Sequence, residues 1–140
     1  MPEWTTIFLN DILKIKFTKC ELQKRKHIFV MKVHLIRKET IEIFARQNAQ
    51  SRIAFDAWLA VLKYADWELP GDMQLTFPGA DLLGRGSCRA VFNVAGNKYR
   101  LICKYVFGEK QVHLFVCWIG THADYDKLCH AGAQYQVSNY

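Results

Sequence analysis

Apolar and polar positions change period along this chain. Met31-Lys32-Val33-His34-Leu35-Ile36 alternates, which predicts a short strand. From Arg37 to Asn48 the positions Ile41, Phe44, Ala45 and Asn48 fall at i, i+3, i+4 and i+7, which predicts a helix with one apolar stripe. The polar Asn48-Ala49-Gln50-Ser51 breaks that stripe and offers Ser51 as an N-cap. In the helix that follows, Ala54, Ala57, Trp58, Val61, Leu62 and Ala65 keep helical spacing until Pro70-Gly71 stops it. Glu68 to Ser87 is rich in proline and glycine and reads as a long connection, with a helical turn at Asp72 to Thr76.

The second half has period two. Arg89 to Val94, Lys98 to Phe107 and Gln111 to Ile119 are strand-like, joined by the turns Ala95-Gly96-Asn97 and Gly108-Glu109-Lys110. They predict a three-stranded antiparallel meander. Gly120-Thr121 ends it, and Thr121 can cap a short helix through Asp124, Tyr125 and Leu128. Residues 131–140 are small and polar, an expected flexible tail. The order strand, helix, helix, three strands is an α+β domain, with the helices on one face of the sheet and the other face open. In the middle strand Tyr99, Leu101, Cys103, Tyr105 and Phe107 point to the core. Arg100, Ile102, Lys104 and Val106 point away from it, as does Lys98 at the start of the predicted strand. One face of the preceding strand carries Arg89, Val91 and Asn93. A concave surface bearing Lys98, Arg100 and Lys104, with Arg89 and Asn93 beside them, follows. The segment Thr121 to Tyr125 starts where the last strand ends, so His122 and Tyr125 are expected to reach toward Arg100.

Charge sharpens this surface. The 140 residues carry a formal net charge of +6. Residues 85–110 hold six basic side chains (Arg85, Arg89, Lys98, Arg100, Lys104, Lys110) against Glu109 alone, a local net of +5. Such a patch points to an anionic partner, nucleic acid being the commonest. The duller reading is a solvated sheet face. Five cysteines without a C-x-x-C signal neither a disulfide framework nor a structural zinc site. His122, Cys129 and His130 match no strong metal-ligand spacing, and no carboxylate cluster invites Mg²⁺, so no metal or cofactor is expected. No apolar run approaches the roughly 18 residues that span a bilayer. Met1-Pro2-Glu3-Trp4 has an acid where a secretory signal has bases, so a cytoplasmic protein is expected.

Three separated stretches resemble one family. ADWELPGDMQLTFPGAD (Ala65 to Asp81), VFNVAGNKYRLI (Val91 to Ile102) and THADYDK (Thr121 to Lys127), in this order after a start at Met31, resemble HigB, the toxin of a bacterial type II toxin–antitoxin pair. The likeness covers residues 31–130. Asp124 stands where Glu is more usual, and Ala95 where Gly is. Residues 1–30 have no counterpart in the compact toxin. They are either upstream sequence from an early start or an extension with Ile12, Leu13, Ile15 and Phe17 loosely amphipathic, and we expect the former.

The resemblance implies a RelE-like fold and ribosome-dependent cleavage of mRNA without a metal. It also implies neutralisation by a HigA-like helix-turn-helix antitoxin, through which operator DNA would be contacted indirectly. It implies Arg100, in KYRLI, as the strand arginine, with His122 and Tyr125 at the positions that commonly supply catalytic groups. RelE relatives carry a lysine in the preceding strand, whereas this chain has Asn93. Metal-free cleavage activates the ribose 2′-OH, stabilises a phosphorane and protonates the leaving 5′-oxygen. Arg100 and Lys98 suit the charge on the phosphate oxygens. His122 suits proton transfer, because imidazoles exchange protons near neutrality. Tyr125 suits hydrogen-bond donation or base stacking. Arg89, Asn93, Asn97 and Lys104 are expected as RNA contacts. The alternative is a degenerate relative that binds RNA or antitoxin without cutting.

Overall fold

A computed structural model describes residues 30–140, and the expectation for residues 1–30 falls, but for Val30, outside the described residues. The predicted elements occur in order, with two short strands added. They are β1 (Met31–Ile36), α1 (Lys38–Gln47), a 3-10 turn (Ala49–Ser51), α2 (Arg52–Lys63), β2 (Asp66–Trp67), α3 (Asp72–Thr76), β3 (Asp81–Leu83), β4 (Arg89–Val94), β5 (Tyr99–Phe107), β6 (Val112–Thr121) and α4 (His122–His130). The sheet order is β2-β1-β6-β5-β4-β3. The meander β4-β5-β6 is antiparallel, as its tight turns require, while β1 lies parallel to β6. A parallel neighbour needs a crossover, and the long path through the helices and the other strands supplies it.

Both helices pack on one face of the sheet. α1 buries its predicted stripe, whereas α2 keeps Trp58 and Leu62 inward but leaves Ala57 and Val61 exposed and buries Phe55, which the predicted stripe did not include. Ile41 and Ala45 of α1 and Phe55, Trp58 and Leu62 of α2 share one cluster with Phe92, Leu101, Leu114 and Val116 of the sheet. Trp58 stacks on Phe77 and meets Phe92 edge-on, each at 5.3 Å between ring centroids. Two local expectations change. Arg37 does not begin α1 but precedes it in the left-handed region (φ 69). Ser51 sits at the N-cap position of α2, but its hydroxyl donates to the Asn48 carbonyl at 2.6 Å and caps nothing, because the buried 3-10 turn folds it backward. The predicted cap of the last helix does form, with the Asp124 N–H donating to the Thr121 hydroxyl at 3.2 Å.

The larger correction concerns the second face, which is not open. Opposite Ile102/Cys103 the register of β6 shifts: Ile102 pairs with Trp118 and Cys103 with Val116. Cys117 is therefore one extra residue, a bulge. It turns Cys117 and Trp118 to the same side, and both join Val91 and Ile102 in a second cluster. α4 and the following segment cover that cluster with Tyr125, Leu128 and Val137. Residues 131–140, expected to be loose, make defined contacts. The Asn139 N–H donates to the Cys117 carbonyl at 2.9 Å, and the Arg89 guanidinium donates to the Val137 carbonyl.

Candidate active site

The covered second face leaves a polar corner at one end, where β5 starts, β4 and β6 end and α4 begins. The register sets Arg100 between Asn93 of β4 and Gly120 of β6. Ala95 (φ 56) and Gly96 (φ 64) both take the left-handed conformation that a tight hairpin favours, which brings Asn97 back over the strand start. Arg100 is only 8 % exposed. Its guanidinium donates to the Tyr99 carbonyl at 3.2 Å and to Asn97 Oδ1 at 3.5 Å. Among the described residues no carboxylate lies within ion-pair distance of it. Asn93 donates from its side-chain amide to the Gly79 carbonyl at 3.1 Å. A cleft of about 320 Å³ opens between Asn93, Gly96 and Asn97 on one side and Phe77 to Ala80 on the other.

Gly120 is required here. A Cβ at this position would lie 2.5 Å from the Trp118 ring, which folds back over the glycine. Because of the bulge, Trp118 and Gly120 share the face with Arg100, and the indole lies 6.2 Å from the Tyr125 ring. Burial pushes the Tyr125 phenol well above its ordinary range, helped by a hydrogen bond with Cys129 and by Asp81, while Arg100 opposes the shift. Burial thus favours the neutral form of the Tyr125 phenol. Arg100 and Asp81 each lie within electrostatic reach of Tyr125.

His122 opens α4. Its backbone N–H donates to the Lys98 carbonyl at 2.9 Å, which pins the helix start to the β4–β5 turn. Its Nδ1 lies 3.2 Å from Asp126 Oδ2, one helical turn on, within ion-pair distance but off the line of a hydrogen bond. That carboxylate faces Nδ1 and not the other ring nitrogen. Lys98 itself is exposed on the turn.

The sequence-predicted residues therefore divide into two sets. Arg100, Asn93, Asn97, Lys98, His122 and Tyr125 come to one corner. Arg89 and Lys104 do not: they pair with each other further along the strands, and Arg89 is tied to the tail. Sequence reasoning missed Trp118, Gly120, Asp81 and Asp126. Asp126 was legible as the i+4 partner of His122. Trp118 and Gly120 were not, because strict alternation cannot reveal a bulge. Among the described residues, no group of three or more His, Cys, Asp or Glu side chains is placed to hold a metal ion. No described helix is long and apolar enough to cross a membrane.

A family model described as HigB toxin, the RelE-like toxic component of a toxin–antitoxin system, matches residues 51–128. The chain is also 33% identical over 96 residues to a protein of Escherichia coli O6:H1 (strain CFT073) named mRNA interferase HigB, an alignment covering 69% of this chain and 91% of the relative. Every residue of the polar corner lies within the span matched by the family model.

Proposed function

The chain belongs to the HigB family of RelE-like toxins, and we propose that it is a ribosome-dependent mRNA endoribonuclease. Its antitoxin is a HigA-like helix-turn-helix protein that would bring it indirectly to operator DNA, and it works in the cytoplasm, where its mRNA target is. The observation that carries this reading is the nearly buried Arg100, with no acid partner among the described residues, beside a phenol kept neutral by burial and an imidazole facing a carboxylate.

In the proposed reaction a ribose 2′-oxygen attacks the adjacent phosphorus. The O2′–P bond forms as the P–O5′ bond breaks, leaving a 2′,3′-cyclic phosphate and a 5′-hydroxyl. The His122 imidazole takes the 2′-OH proton, oriented by Asp126. Tyr125 donates a proton toward the departing 5′-oxygen. Arg100 holds the charge on the non-bridging oxygens, which takes the place of a metal in this scheme, and Lys98 adds positive charge from the turn. Burial strengthens Arg100's part, since a charge fixed among protein dipoles needs no reorganisation as the phosphorane forms. Asn93 and Asn97 flank the cleft and contact the nucleotide beside the scissile phosphate. Arg89 and Lys104 contact RNA elsewhere.

The test is cleavage of mRNA in a purified translation reaction, with the 5′ ends of the products mapped. Wild type should cut only when ribosomes are present, and Arg100→Ala should cut about 10²–10³-fold more slowly. Equal products from wild type and Arg100→Ala would sink the mechanism. Absence of cutting by both would favour the degenerate relative.

A further inference from the structure

A second concentration of positive charge lies on the same sheet face, away from the polar corner. Arg37, at the turn between β1 and α1, Arg89 of β4 and Lys104 of β5 line a pocket of about 350 Å³. Its floor is Val106, Phe115 and Cys117, and Ser138 of the C-terminal segment forms a wall. Lys104 is four residues along β5 from Arg100, about 13 Å at strand rise. The Tyr125, Leu128 and Val137 cover over Val91 and Ile102 lies between the two places.

Three features set this pocket apart from an ordinary solvated face. Arg89 and Lys104 are directly opposite each other in the β4–β5 ladder, a like-charge pair that costs stability. Arg89 is only 7 % exposed, and its guanidinium has a tail carbonyl but no acid. Arg37 holds a left-handed conformation that side chains seldom adopt, and reaches across to the Val116 carbonyl at 3.5 Å. No carboxylate lies within ion-pair distance of any of the three among the described residues. Three cations brought together from separate elements, one of them buried, form a site that lacks only its anion. Arg37 and Ser138 both lie outside the span matched by the family model, so two walls of the pocket are built from sequence beyond it.

We propose that this pocket is a second phosphate site, holding a phosphodiester of single-stranded RNA at a distance from the bond that is cut. The proposal deepens the nuclease reading and rests on it for the choice of RNA. Two guanidiniums and an ammonium match the oxygens of a phosphodiester, and the ring of Phe115 gives the adjoining nucleotide an apolar surface. The pocket makes no contact with the reacting atoms. It anchors the RNA, so it governs affinity and salt dependence and leaves the chemical step alone.

The test is binding of a short 2′-O-methyl oligoribonucleotide, which lacks the nucleophile and cannot be cut, to the full chain at a series of salt concentrations. Arg37→Ala with Lys104→Ala should weaken binding about tenfold and flatten the log–log salt dependence by about 0.7 per lost contact. Lys104 is exposed, so Lys104→Ala alone guards against misfolding and should give about half of the flattening. Unchanged affinity and slope in both variants would overturn the proposal. A parallel NMR titration compares inorganic phosphate with the oligonucleotide. Amide signals of Lys104, Phe115 and Ser138 that move with both probes support the site. Movement with inorganic phosphate alone would mean a free-phosphate site and overturn the assignment to RNA. Arg100→Ala separates the two readings: if it slows cutting while the double variant binds normally, only the second site falls.

Discussion

On the side facing α1 and α2, β5 presents Tyr99, Leu101, Cys103, Tyr105 and Phe107, all buried in one apolar cluster. On its other side the same strand presents Arg100, Ile102, Lys104 and Val106, of which only Ile102 is fully enclosed by apolar neighbours. The two sides of one strand do different work. The first excludes water and holds the sheet together. The second uses an apolar patch as a spacer, with α4 and the tail seated on it and charged residues left at either end. Arg100 is only 8 % exposed there, so its position is set by burial as well as by its two hydrogen bonds.

This contrast can be broken at its strongest point first. Phe92 on the core face touches the Trp58 and Phe77 rings and is fully buried. Phe92→Ala should cost about 3–5 kcal/mol of stability. Chemical denaturation should show that loss, while the activity of the remaining folded fraction stays near normal. On the other face Arg100→Ala should reverse the pattern. Cleavage should fall about 10²–10³-fold, the order found when one charge-stabilising donor is removed from an active site. Denaturation should show a shift of no more than about 1 kcal/mol, since its two hydrogen bonds go to one carbonyl and one long amide contact. A large stability loss in Arg100→Ala would collapse the distinction between the faces.

Gly120→Ala tests whether the site depends on the packing beside it. The added Cβ meets Trp118 at 2.5 Å, so the indole must shift and its packing beside Tyr125 must change. We expect a stability loss of about 1–3 kcal/mol. The near-ultraviolet circular dichroism should change, and activity should fall more than stability explains. The smallest effect is on pH dependence. The Tyr125 phenol is raised above its ordinary range chiefly by burial. It stays protonated in the folded state while an unfolded tyrosine ionises near ~10. Its contribution to stability is therefore fully present below that value and is lost as pH rises toward the folded one. Tyrosinate absorbance of wild type minus Tyr125→Phe should isolate a phenol that ionises above the ordinary tyrosine range. If the difference titrates near ~10, Tyr125 is not enclosed.

The sequence by itself determined the alternating strands of the meander, the helical stripe of Ile41, the inward Trp58 and Leu62, the Thr121 cap and the strand face on which Arg100 stands. Each is a local signal, because the period of burial and the chemistry of a turn or cap are written in neighbouring residues. Chain order alone could also bring His122 near the start of β5, since an antiparallel hairpin returns the chain to where the previous strand began. The two-residue β2 and three-residue β3 were too short to carry a period. The bulge at Cys117 was invisible for a related reason. It is an interruption of alternation, and in an almost wholly apolar run such as Val112 to Ile119 nothing marks where alternation slips. That slip turns Trp118 over Gly120 and provides the surface on which α4 sits. Only the tertiary structure divided the basic residues, sending Arg89 and Lys104 to Arg37 and leaving Arg100 with Asn97 and Tyr125. Charge patterning along a chain counts cations, whereas the distances between strands and the path of a covering tail decide which of them share a site.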